Sequence, residues 1–217
     1  ASARTARIGE SLELAGNCVV FSNELFDAQP FRRFVVRDDS WTELGVQLRD
    51  DGLVEVELAT PAPPELPSGL PNGYRIDVPF AASELLQRIA AQNWQGLFVA
   101  CDYGKTWREL TEACPEGTAR AYFRHQQSND LLARPGEQDL TCHICWDWLA
   151  TTLKDHRFAK PSVDSQESFL IRHAAKSIAA ISAAEALRFS RRKASLLQLL
   201  HPAHMGQKFQ VLHALRD

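Results

Sequence analysis

The chain has 217 residues, of which 45% are hydrophobic, 24% charged and 9% aromatic. Its 24 Lys and Arg against 27 Asp and Glu give a formal net charge of −3, so it lacks the basic excess that grips nucleic acid without regard to sequence. No stretch approaches the roughly 18 apolar residues that argue a membrane span, which leaves a globular chain long enough to bury a sizeable core.

Residues 1–7 lack the apolar centre of a signal peptide. The sole methionine is Met205 and residue 1 is alanine, so the sequence is expected to be an excerpt from, or a processed form of, a longer chain. Residues 17–22 form a short β-branched and aromatic run without alternation, which predicts a buried strand. It ends in Asn23-Glu24-Leu25-Phe26-Asp27-Ala28-Gln29-Pro30. Strands are then expected at 34–36, 46–48 and 54–58, with Asp50-Asp51-Gly52 turning between the last two. With the proline-rich loop that follows, residues 31–76 read as a β-rich inserted arm. A helix is expected over 79–93, with Leu85, Leu86, Ile89 and Ala90 on one face. The run 97–101 predicts a second buried strand, closed by Asp102-Tyr103-Gly104. Strand, helix, strand suggests a βαβ unit and a parallel sheet.

Beyond Gly104, strands are expected at 118–125 and 139–145, around a polar loop containing Pro135-Gly136. Helices follow at 146–156, at 165–177 with Phe169 and Leu170 facing inward, and at 183–200. The last carries a basic face at Arg188, Arg191, Arg192 and Lys193, read as solvated. Residues 208–215 alternate and predict a final strand.

In open α/β sheets, ligands bind at the carboxyl ends of the strands. Asn23, Glu24 and Asp27 follow the first buried strand, and Asp102 follows the second. Such a cluster can hold a cationic group and take a proton from an amine or guanidinium. Asp27 and Asp102 can equally cap turns or helix starts. His125 suits a general base near neutral pH or a hydrogen-bonded structural role. The five cysteines, odd in number and irregular in spacing, make a poor disulfide framework and read as reduced thiols. Cys142 and Cys145, three apart on an expected strand, would point to opposite faces, which argues against a metal site. The chain contains no glycine-rich phosphate loop and no GxGxxG.

Together these residues become specific. Phe21 to Pro30 resembles the NE-x-x-DA-x-P signature of the MidA family of class I methyltransferases, which are S-adenosylmethionine-dependent and linked to mitochondrial complex I assembly. Further matches follow in order: Asp102-Tyr103-Gly104, Gly117-Thr118 with Tyr122 and Arg124-His125, Arg134 to Thr141 with His143, Ser165-Gln166 with Phe169-Leu170, and His201-Pro202 with Met205-Gly206 and Phe209. The resemblance runs from about residue 17 to the end of the chain.

It implies an α/β fold: a partial Rossmann-like class I methyltransferase sheet with a β-rich inserted arm and C-terminal helices. Residues 1–217 would be the C-terminal part of one methyltransferase domain, with 31–76 as the arm and 146–200 mainly helical. Family members carry, upstream of the NE motif, a glycine-rich loop and an acidic strand end that hold S-adenosylmethionine. Neither motif is in this sequence, so the cofactor site is expected to be incomplete and binding weak or absent. The strand at 17–22 would then expose an apolar edge.

The implied activity is methylation of a protein side chain, arginine in the mitochondrial member. Glu24 is expected to hydrogen-bond the guanidinium and accept its proton, with Asn23 orienting acceptor or cofactor. Asp27 would fix the turn beside the substrate. Asp102 and Tyr103 would line the acceptor side, and His125 and Asp139 its outer wall. No metal is implied. A non-catalytic binding or assembly factor derived from the same fold is the alternative. A protein substrate, a homodimer, and a bacterial cytoplasm or mitochondrial matrix complete these expectations.

Overall fold

The computed structural model describes residues 3–6, 10, 12–50, 52–186 and 190–217. Asp51 of the expected hairpin turn and Arg188 of the expected basic face lie outside these residues, as do Ala1, Ser2 and Arg7.

Strand β1 (Gly16–Asn23) leads into the arm, β2 (Arg32–Arg37), β3 (Ser40–Arg49), β4 (Gly52–Leu58) and β5 (Arg75–Val78). Helix α1 (Phe80–Ala90) and β6 (Trp94–Asp102) follow. A short β7 (Gly104–Lys105), α2 (Trp107–Glu112), β8 (Arg120–Phe123), β9 (Gln126–Ser128), β10 (Asp139–Thr141) and β11 (Ile144–Cys145) come next. The chain closes with α3 (Trp146–Asp155), β12 (Ala159–Ser165), α4 (Gln166–Ala184), α5 (Arg191–Leu200), a π turn at Pro202–Gly206 and β13 (Gln210–Arg216). Among the described residues no helix is long and apolar enough to cross a membrane.

The central sheet has the order β1-β6-β13-β12. β1 and β6 pair in parallel, from Gly16 opposite Trp94 to Asn23 opposite Cys101, so their carboxyl ends lie side by side. β13 runs antiparallel to both β6 and β12. Alternation along β6 feeds two cores. Phe98 and Ala100 join Leu86 and Ile89 of α1 and Leu149 and Leu153 of α3. Val99 and Cys101 meet Val211 and, on α4, Phe169. Each large side chain buried this way contributes about 1.5–3 kcal/mol. Arg216 closes the first core. Its guanidinium stacks on Trp94 and Phe158 and donates to the carbonyls of Ala90, Gln92 and Trp94.

β1 departs from the expected fully buried strand. Cys18 and Val20 pack on the core, but Val19 and Phe21 are 70% and 65% exposed. The physical reason is coverage: α4 packs on β12 and β13, and among the described residues β1 pairs only with β6. An edge strand with an apolar outer face is a template for self-association. The double substitution Val19→Lys and Phe21→Lys is therefore expected to raise the monomer fraction in sedimentation velocity without lowering the melting temperature. An unchanged size distribution would show that β1 is not the sticking edge.

The arm is a four-stranded antiparallel sheet, β4-β3-β2-β5. Its core is small, with Phe34, Ile76 and Val78 buried against Trp41, Phe80, Trp107 and Trp148. Buried charge ties it to the rest. Asp77, 1% exposed, accepts from Arg33 Nε at 2.8 Å and from the backbone N–H groups of Thr118 and Ala119 at 2.7 Å each.

Other expectations need correction. The run 139–145 is not one strand. It breaks at Cys142-His143, where the Cys142 N–H donates to Asp27 O and the His143 N–H to Thr118 Oγ1. The helix expected over 183–200 is two elements: α4 runs on to Ala184, and α5 starts after Ser190, whose hydroxyl accepts from the Lys193 N–H. Pro79 stands just before the first turn of α1, not inside it.

Candidate active site

The site grows from the parallel ends of β1 and β6. Glu24 takes a left-handed backbone conformation (φ 49°), and its N–H donates to Cys101 O at 3.0 Å. A non-glycine residue there costs about 1–2 kcal/mol, a strain typical of functional turns. The turn is fastened from below by Asp102, which is fully buried. Its Oδ2 accepts from the Phe26 N–H and its Oδ1 from the Tyr103 N–H, each at 2.9 Å. Above it, Asn23 and Glu24 remain exposed, and Asn23 Nδ2 donates to Glu24 Oε1 at 3.0 Å. A carboxylate is thus held in place by its neighbour at an open strand end.

Asp27 is 2% exposed and lies against Asp102 closely enough to share a proton with it. Both carboxyls are pushed well above the usual carboxylate range. Burial is the main cause for each; the charge of Glu24 adds to it for Asp27, and that of Asp27 for Asp102. Each carboxyl therefore keeps its proton to a higher pH than a free carboxyl does. Asp27 Oδ1 is buried without a hydrogen-bond partner.

Acids whose affinity for protons rises on folding contribute stability below the unfolded pKa. That contribution is lost as pH rises through the folded values. Burial holds His143 down to about 4, and its slope has the opposite sign: it loses stability as pH falls below the ordinary histidine range. Only a comparison with a variant isolates the pair. Asp27→Asn keeps a donor toward Asp102 and removes the shared proton. It is expected to gain stability relative to the wild type between about pH 5 and about pH 8 in urea unfolding. Parallel stability curves across that range would count against a shared proton.

A cleft of about 840 Å³ opens beside these groups, lined by Glu24, Asp27 and Asp139 together with Leu44, Val46 and Leu132. Asp139 reaches it because β10 pairs with β8, opposite Tyr122. Tyr103 does not line this cleft. Its ring packs at a tilt against Phe209, with centroids 4.1 Å apart, and lines a second cavity with Asp27, Lys105 and His143. Asp102 is sealed beneath the turn. His125 lines neither cavity. With Arg124 it makes the two-residue turn between β8 and β9, both residues at positive φ, which a tight hairpin needs. The arm residues Arg33, Leu44, Val46 and Glu55 also line the first cleft and were not expected there. The inserted arm was legible, but no local pattern says which of its faces turns toward the strand ends.

S-adenosylmethionine is the cofactor that the resemblance implies. Asn23 and Glu24 offer an amide and a carboxylate at an open strand end, suited to the acceptor side of a methyl donor. Among the described residues no glycine-rich turn on the outer side of β1 cradles a nucleoside. No cluster of three or more His, Cys, Asp and Glu side chains among them is arranged to hold a metal ion either.

Known proteins place the chain. Residues 7–162 match the profile of a family described as "Putative S-adenosyl-L-methionine-dependent methyltransferase". The chain is 29% identical over 151 residues to the Caenorhabditis elegans protein arginine methyltransferase NDUFAF7 homolog, mitochondrial, covering 64% of this chain and 34% of that protein. It is 24% identical over 214 residues to Danio rerio protein arginine methyltransferase NDUFAF7, mitochondrial, covering 92% of this chain and 48% of that one. The fold matches a COG1565 superfamily member from Burkholderia thailandensis bound to S-adenosyl-homocysteine, with a TM-score of 0.84 and 24% identity over 95% of this chain and 55% of that one. A native crystal structure of a COG1565 superfamily protein from the same organism gives a TM-score of 0.82. The chain thus spans between about a third and about half of the curated relatives it matches. The sheet β1-β6-β13-β12 is a partial Rossmann-like class I methyltransferase sheet that carries the β-rich arm, and the chain belongs to this family of S-adenosyl-L-methionine-dependent methyltransferases.

Proposed function

We propose that this chain carries the acceptor side of a protein arginine methyltransferase. The observation that supports the reading best is Glu24: strained, exposed, hydrogen-bonded by Asn23 and set over an acidic cleft. S-adenosylmethionine, when bound, supplies an electrophilic methyl group. The chain's own residues must prepare the nucleophile. A guanidinium is a poor one because its lone pairs are delocalised over the planar group. A carboxylate hydrogen-bonded to it concentrates electron density on one nitrogen and takes the departing proton. Glu24 has that role, and Asn23 fixes the carboxylate that performs it. Asp27 and Asp102 position this turn from below, and Asp139 adds negative potential on the facing wall.

The relatives named as protein arginine methyltransferases favour arginine over other acceptors. The test is methyl transfer by the intact gene product to acceptor protein, read as labelled methyl groups in arginine after acid hydrolysis. Label in lysine would overturn the arginine reading. Intact S-adenosylmethionine binding with no transfer to any candidate acceptor would leave a non-catalytic assembly factor.

A further inference from the structure

Two clefts lie side by side along the arm. The first reaches from Glu24 and Asp27 out to Val46 and Leu132. The second, about 490 Å³, continues from Leu132 to Leu48 and Leu53 near the tip of the β3–β4 hairpin. Leu132 lines both, so the two clefts adjoin at one side chain, with the arm on one side and the segment 130–141 on the other, and together they mark a groove.

The groove changes character along its length. Its inner end carries Glu24, Asp27, Glu55 and Asp139. The cation lining it, Arg33, is already engaged by Asp77 at 2.8 Å and Glu55 at 3.7 Å. Glu55 is also paired with Arg75 at 3.0 Å, so the excess negative charge lies on Glu24 and Asp139, and the buried Asp27 Oδ1 there has no partner of its own. The outer end is mainly aliphatic, with Asp130 the one charged residue among the described residues that line it. Val46 and Leu48 are 57% and 76% exposed, although the solvated face of an antiparallel strand is normally polar.

We propose that this groove binds an extended segment of the acceptor protein. A cationic side chain enters the acidic end, and aliphatic side chains flanking it lie on Val46, Leu48, Leu53 and Leu132. The proposal rests on the arginine-acceptor reading and adds the sequence context the enzyme selects. Carboxylates alone accept any arginine. The aliphatic track distinguishes one arginine from another, because contacts remote from the reacting atoms supply the binding energy that positions it. An extended segment suits a track of this kind, since alternate side chains of a strand point to one side.

The test is fluorescence anisotropy on the chain as it stands, with labelled twelve-residue peptides. One has a central arginine flanked by leucine and valine. The second replaces the aliphatic residues with serine, and the third replaces the arginine with glutamine. The first is expected to bind at least about tenfold more tightly than either of the others. Val46→Asp with Leu48→Asp is expected to remove the preference for aliphatic flanks while leaving the melting temperature unchanged, since both side chains are exposed. Equal binding of the leucine- and serine-flanked arginine peptides overturns the groove and leaves the arginine reading standing. Equal binding of the arginine and glutamine peptides overturns the arginine reading itself. Self-association abolished by the double variant, with no discrimination among peptides, would assign the groove to a second copy of this chain and overturn the proposal.

Discussion

Replacing Asp77 with alanine is expected to lower the unfolding free energy by about 3–5 kcal/mol, the cost of breaking a buried ion pair from one side. The side chain serves three partners at once. It takes Arg33 through Nε at 2.8 Å and Nη2 at 3.3 Å, and it takes the Thr118 and Ala119 N–H groups at 2.7 Å. Alanine strands all of them in a region with little access to water. Arg33→Met should cost less. The Asp77 carboxylate would keep its two backbone donors, whereas Arg33 in the Asp77 variant would keep only Glu55 at 3.7 Å. The neighbouring glycine reports on the same contact. Gly117 has φ +70°, and a Cβ there would lie 2.4 Å from Asp77 Oδ2. Gly117→Ala is accordingly expected to destabilise by displacing the carboxylate as well as by straining the backbone. Urea unfolding measures the order Asp77→Ala, then Arg33→Met, against wild type, with Gly117→Ala also below wild type. A loss below about 1 kcal/mol for Asp77→Ala would mean that the arm is held by its small apolar core instead.

This contact also shows where the sequence became hard to read. Asp77 sits in the middle of β5, where a charged residue after Pro71-Asn72-Gly73 resembles loop. Its reason for being there is Arg33, 44 residues away. β12 escaped for a related reason. Pro161 argues against a central strand, but β12 is the edge of its sheet and its pairing shifts between Ala159 and Ser162, so a missing donor is tolerated. α2 was legible and overlooked, since Thr106 and Glu109 form a capping box with both reciprocal hydrogen bonds. By contrast the positions of β1, β6 and α1 follow from local runs and periodicity, whereas the exposed face of β1 depends on what covers the sheet. The site divides the same way. Asn23, Glu24 and Asp27 were readable as the end of a strand of the parallel sheet. The pairing of Asp27 with Asp102 depends on the parallel register of two strands separated by the whole arm. His125 looked chemical because histidine titrates near neutrality, yet its backbone conformation serves the hairpin turn.

Replacing Glu24 with glutamine is expected to reduce methyl transfer to arginine by about 100-fold or more, the usual contribution of a positioned proton acceptor. The fold should be unaffected. Glu24 is exposed, its backbone hydrogen bond to Cys101 O does not involve the side chain, and glutamine meets the same left-handed backbone at the same cost. Glutamine can still accept the hydrogen bond from Asn23, so the turn keeps its shape while losing its negative charge. The loss should fall mainly on kcat, because the charge matters most when the guanidinium gives up its proton, and acceptor binding retains Asp139 and the groove. Glu24→Asp should recover part of the rate, since the chemistry survives at a shorter reach. Asn23→Ala should cost less than Glu24→Gln, because it releases the carboxylate without removing it. That ordering separates a proton acceptor from a merely structural turn residue, for which glutamine would be the mildest of the three changes. Full activity of Glu24→Gln in the intact gene product would move the proton-accepting role to Asp27. That residue lines the same cleft, and its raised pKa makes it the weaker candidate at lower pH and a stronger one as pH rises.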